Sequence, residues 1–66
     1  MEDFTVMPSG SVWRFQPNTD AAKAESEQMG LESWQWMGPC FCVEARIAPD
    51  LISRLEENGF SVKIDP

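Results

Sequence analysis

Apolar and polar residues alternate with a period of two along "GSVWRFQP", residues 10–17, which places Trp13 and Phe15 against Val12 and Arg14 and predicts a short strand closed by Pro17. The preceding run, "MEDFTVMPS", has no clean period and is interrupted by Pro8. It reads as an N-terminal arm over residues 1–9, ordered at most by Phe4 and Val6. The period then changes. "NTDAAKAESEQMG" reads as a helix capped by Asn18 or Thr19, with Asp20 in its first turn and Gly30 just past its end. Its apolar face is thin: Ala22 and Met29 align, with Ala21 nearby, so it must be held by propensity and by contact with another element.

"SWQWM" and "CFCVEA" read as two strand-like runs joined by Gly38-Pro39, which is not the favoured Asn-Gly type of hairpin turn. Alternation puts Trp34 and Trp36 on one face, with Gln35 and Met37 opposite. In the second run Phe41, Val43 and Ala45 share one face, and Cys40, Cys42 and Glu44 the other. "IAPDLISRLEENG" is a second helix, with Pro49 in its first turn and Gly59 at its end. Its buried stripe consists of Ile47 or Ala48 with Leu51, Ile52 and Leu55, and Asp50 and Arg54 are spaced as an i,i+4 pair. In "FSVKIDP" Phe60, Val62 and Ile64 point in, and Ser61 and Lys63 point out. The order β-α-β(-β)-α-β predicts one α+β domain over residues 1–66. Its single-layer sheet has three to four strands, antiparallel or mixed, with both helices on one face.

Length and charge narrow the function. A chain of 66 residues buries only about 60% of its unfolded surface, so the core has little to spare. Eleven Asp and Glu against five Lys and Arg leave a formal charge of −6. Phosphate backbones are bound by neutralising them with cations, so direct binding to nucleic acid or to an anionic membrane is not expected. A protein surface that itself binds nucleic acid remains an eligible partner. The acidic start is followed by no apolar signal-peptide core, no run reaches the length of a membrane span, and two Cys are too few for a secreted disulfide scaffold. These features predict a cytoplasmic protein with reduced thiols, in the host cell if phage-encoded.

The chain has no His, which removes the commonest general base, the commonest metal ligand and the Ser-His and Cys-His nucleophile pairs. Cys40-x-Cys42 offers two thiolates where structural zinc takes four ligands, unless two chains share one metal. A disulfide between residues i and i+2 of a strand is geometrically poor. Two small buried hydrophobes is the simpler reading of the pair. Glu56 and Glu57 diverge around their helix and cannot act on one bond, and no Gly-rich phosphate loop is present. The expectation is therefore no enzyme, no metal and no cofactor.

Two features remain. Trp13, Trp34 and Trp36, with four Phe and four Met, are more than a small core encloses easily, and an uncovered Trp34 or Trp36 beside carboxylates has the character of a protein-binding anchor. Asp20, Glu25, Glu27 and Glu32 cluster on and after the first helix, and Glu56 and Glu57 end the second. They read either as a solvated face or as an acidic surface offered to a basic groove. The succession "NTDAAKA", "WQWMG", "VEARIAPDLISRLEENGF" resembles a group of short, uncharacterised bacterial and phage proteins over residues 10–64, from which no site residues carry over. Members of that group often have an aromatic residue in the first helix, where Glu25 and Glu27 stand in this chain. In its shortness, acidity and lack of His the chain also resembles the anti-CRISPR proteins of phages and mobile elements. That resemblance implies a stoichiometric inhibitor, without cofactor, that occupies the basic nucleic-acid-binding surface of a Cas effector. On this reading Asp20, Glu25, Glu27, Glu32, Glu56 and Glu57 mimic DNA, and Trp34 or Trp36 anchors the contact. The alternative is a small structural or accessory domain that homodimerises through a Trp-rich sheet face and inhibits nothing.

Overall fold

In a computed structural model, which describes residues 1–65, five strands form one mixed sheet and two helices cross one of its faces. The elements run β1 (Phe4–Ser9), β2 (Val12–Pro17), α1 (Asp20–Gln28), a 3₁₀ turn (Ser33–Gln35), β3 (Trp36–Met37), β4 (Cys40–Glu44), α2 (Ala48–Glu57) and β5 (Val62–Ile64). The strand order across the sheet is β3-β4-β2-β1-β5, antiparallel except where β5 joins β1 in parallel. The class is α+β, as the pattern predicts, with five strands rather than three to four. Pro66, the last residue of the terminal run, lies outside the described residues.

The fifth strand is the segment expected to be an arm. β1 is interior to the sheet, paired with β2 over its full length and with β5 over Phe4–Val6. Phe4 and Val6 are fully buried. Pro8 does not break the strand because of where the ladder ends. Ser9 and Val12 close a two-residue hairpin, and the next pair inward, Pro8 with Trp13, is a non-hydrogen-bonded pair whose backbone groups point away from each other. The Pro8 nitrogen therefore faces away from β2, past the last described β1–β5 pair, Val6 with Ile64. A missing N–H there costs no bond of the β1–β2 ladder.

Both hairpins use a glycine-first turn. Gly10 (φ 63°) and Gly38 (φ 61°) occupy the first of two loop positions, between Ser9 and Val12 and between Met37 and Cys40. A left-handed first residue matches the twist of the flanking strands, as in the II′ class. Gly38-Pro39 is thus a sound hairpin turn, with Pro39 at the second position.

The register gathers one apolar layer under the helices. Phe4 faces Pro17, Val6 faces Phe15, and Phe15 faces Phe41 across three strands. The Phe15 and Phe41 rings stack at 5.3 Å, and Phe60 meets Phe4 edge-on at 5.6 Å. α1 packs by a seam of small residues: Ala22 is fully buried, as is Ser26, whose hydroxyl donates to the Ala22 carbonyl oxygen at 2.8 Å. Thr19 is the cap, accepting from the Ala22 N–H at 3.1 Å. Asn18 instead ties the strand to its surroundings, donating to the Glu2 carbonyl and to Thr5 Oγ1.

α2 buries Ala48 and Leu55, with Leu51 and Ile52 half-buried, while Ile47 remains 48% exposed. Its end is a Schellman motif: the Gly59 N–H donates to the Glu56 carbonyl and the Phe60 N–H to that of Leu55. Among the described residues the ion pair within 4 Å is Arg46–Glu44, and the expected Asp50–Arg54 pair does not close. Ile64, expected inside, is 51% exposed at the end of the edge strand β5.

Asp3 joins three elements. Its carboxylate accepts from the Ser61 N–H (3.0 Å), the Thr19 hydroxyl (2.8 Å) and the Ser61 hydroxyl (3.3 Å). These donors, the Ser61 N–H foremost, hold its pKa below the ordinary aspartate value of 3.8. Because the folded value is the lower one, the stabilisation is complete above the unfolded pKa and is lost as pH falls through the folded one. Asp3→Asn is therefore expected to melt at a lower temperature than the parent at pH 7, with the gap shrinking below about pH 4. Thermal melts across that range check it; a gap independent of pH would show that the carboxylate charge is not what matters.

Candidate functional site

The acidic residues singled out above divide among several surfaces. Asp20 and Glu27 are exposed on α1. Glu27 and Lys23 border a groove of about 520 Å³ walled by Pro17, Leu31, Trp36 and Pro39. Glu25 is half-buried and turns the other way, since two residues along a helix rotate by about 200°. It lines a second groove of about 470 Å³ between the helices, with Met29, Leu51 and Arg54. Glu25 and Glu27, adjacent in the expected acidic face, therefore address different neighbours. Glu32 is exposed where the chain enters the 3₁₀ turn, its N–H donating to Gln35 Oε1 at 2.9 Å.

Glu56 and Glu57 are exposed in the last turn of α2, where the helix dipole disfavours negative charge. Glu57→Lys is expected to stabilise the fold by about 0.5 kcal/mol at low salt, measurable by urea titration. A loss of stability would mean that this carboxylate makes a favourable contact.

The tryptophans separate as well. Alternation predicts Trp34 and Trp36 on one face, but Trp34 falls in the 3₁₀ turn, and only Trp36 enters the two-residue strand β3. Trp36 is half-buried and meets Phe41 edge-on at 5.5 Å; Trp13, opposite Val43, also packs against the core. Trp34 is 76% exposed. Trp13 and Trp36 share the sheet face that packs on the core, and Trp34 lies outside it.

Around Trp34 the fold builds something the sequence reading missed. Val12 (42% exposed) and Ile47 (48%) are both uncovered. They meet Trp34 around a hollow of about 150 Å³ that Gln35, Cys42, Val43 and Glu44 complete. Val12 comes from the start of β2, Ile47 from the turn before α2, and Trp34 from the 3₁₀ turn, so no local pattern connects them. The one available signal was the choice between Ile47 and Ala48 for the helix stripe, because burying Ala48 frees Ile47. Gln35 Nε2 also donates to the Cys42 carbonyl at 3.1 Å, holding the turn against β4 beyond the end of β3.

The surface charge is largely uncompensated, and Glu44, at the rim of this hollow, is paired with the exposed Arg46. Among the described residues no three His, Cys, Asp or Glu gather to hold a metal ion, and no helix is long and apolar enough to cross a membrane. Both Cys are free thiols. They lie on the sheet face away from the helices, Cys40 buried and Cys42 half-buried, rather than in the apolar cluster under α1 and α2. Compared with known protein families, with curated proteins and with solved structures, the chain matches none, so its functional reading rests on its own residues.

Proposed function

We propose that the protein is a binding protein that docks its acidic surface on a basic, nucleic-acid-binding surface of another protein, most concretely a Cas effector, and so blocks DNA recognition. The observation that carries this reading is the exposed Trp34, set with Val12 and Ile47 in an apolar hollow on a surface of net negative charge. Interface energy concentrates in such aromatic anchors, while surrounding charge governs approach and register. Carboxylates on Asp20, Glu27, Glu32, Glu56 and Glu57 are exposed and free to meet Lys and Arg that otherwise hold phosphates. The action is stoichiometric and needs no group transfer.

The test is a binding titration against a guide-loaded Cas effector at low and high salt. Affinity is expected to fall steeply with salt, and Trp34→Ala to cost at least about 2 kcal/mol, near thirtyfold. Reversing Asp20 and Glu27 together, which share a side of α1, should weaken binding mainly through the association rate. Binding indifferent to salt and to Trp34 would refute the reading.

A further inference from the structure

The geometry points to a soft-metal site for a monovalent d¹⁰ ion, Cu(I), formed by the three sulfurs of Met37, Cys40 and Cys42 on the open face of the sheet. The sequence offered two thiolates only; the hairpin supplies the third donor. Met37 and Cys40 are direct partners across the Gly38-Pro39 turn, which brings their Cβ atoms to about 5 Å. The Cys42 thiol, on the same face two residues further along β4, already donates to Met37 Sδ at 3.3 Å. Cys40 and Cys42 are about 7 Å apart along the strand by pleat geometry, a span that one ion can bridge when the Cys40 thiol turns toward the Met37–Cys42 sulfur pair.

The donor set selects the metal. Two thiolates and a thioether, without imidazole or a fourth donor, suit Cu(I) and do not meet the four-ligand demand of structural zinc. Access is graded: Met37 is 57% exposed and Cys42 half-buried, while Cys40 is 8% exposed. Charge is accommodated too. Cu(I) displaces one proton from each thiol and remains Cu(I), leaving a centre of net charge −1, and the exposed Arg14 stands directly across from Cys42 on the same face. The turn fixes the register, so Met37 and Cys40 are positioned before the ion arrives.

The probe is the Cu(I)–bicinchoninate chelate, titrated anaerobically with the reduced full-length protein. One equivalent of copper per chain is expected to leave the chelate, with a thiolate-to-copper absorption band in the ultraviolet and weaker uptake at acid pH, where protons compete. Cys42→Ser and Met37→Leu replace accessible side chains and are expected to keep the parent's circular dichroism. An outer-shell partner of a metal site already changes affinity by 10- to 100-fold, so losing a direct donor should weaken uptake at least about tenfold. No transfer from the chelate, one copper per two chains, or undiminished affinity in Met37→Leu would each overturn the site.

Discussion

Replacing Phe15 by alanine is expected to leave the protein largely unfolded at 25 °C. Phe15 is fully buried and sits mid-sheet, with Val6 opposite it on β1 and Phe41 stacked on it at 5.3 Å. Removing a buried Phe ring costs about 3–5 kcal/mol, the transfer free energy plus the cavity left behind. A single core in a chain of this size supplies rarely more than about 3–5 kcal/mol in all. The two figures overlap, so no reserve is left. Far-UV circular dichroism with a urea titration is the measurement. Phe15→Leu, which fills most of the same volume, should retain a cooperative transition at a cost of about 1.5 kcal/mol. If the alanine variant still unfolds cooperatively with most of its stability intact, the core is not centred where the sheet register places it.

Deleting residues 1–9 is expected to abolish the fold, where a true arm would be dispensable. The deletion removes Phe4 and Val6, both fully buried and each worth about 1.5–3 kcal/mol of burial. It also strips β2 and β5 of their common neighbour. The parallel partner β5 has no other strand to pair with, and Phe60 loses the ring it packs against. Asp3, which ties β1 to Thr19 and Ser61, goes with it. Hydrogen exchange offers a second readout, since amides of an interior strand should be protected and those of an arm should not. Pro8→Ala is the control. It occupies a position where no β1–β2 ladder bond is at stake, and should cost only the roughly 0.4–1 kcal/mol that the ring contributes by restricting the unfolded chain. A folded deletion variant would return residues 1–9 to the status of an arm.

Both expectations show where local pattern was a sound guide and where it failed. The two helices were legible because capping, composition and end signals agree within a few residues: Thr19 caps α1, and Gly59 with Phe60 closes α2. The alternations Trp13/Phe15 and Phe41/Val43 also read directly into the core layer. β1 was illegible because two apolar positions make too short a period, and because the meaning of Pro8 depends on how far β5 extends, a fact about residues more than 50 positions away. Trp34 was misplaced because "SWQWM" alternates as a strand would, yet only its last two residues pair. The Gln35 side chain takes over where a third ladder bond would stand. Ser26 was passed over because a polar side chain can be buried when its hydroxyl returns to the helix's own backbone.

Candidate chemistry followed the same division. Negative charge, absence of His and an unusual number of indoles are properties of composition, and they are read without any structure. Which carboxylates share a surface is a matter of helix phase and packing, and that sends Glu25 and Glu27 to opposite sides of α1.

The chain alone thus determined its α+β class, both helices and their ends, the core faces of β2 and β4, and its acidic character. These depend on spacing and residue type within a few positions, over which the backbone's own periods act. Only the tertiary structure decided that the N-terminal segment is an interior strand, that Trp34 rather than Trp36 is uncovered, and that Val12 and Ile47 join it. It alone set Met37 against the Cys42 thiol and opposite Cys40. Each of these depends on pairing across the sheet, which a local period cannot encode because the partners come from distant parts of the chain.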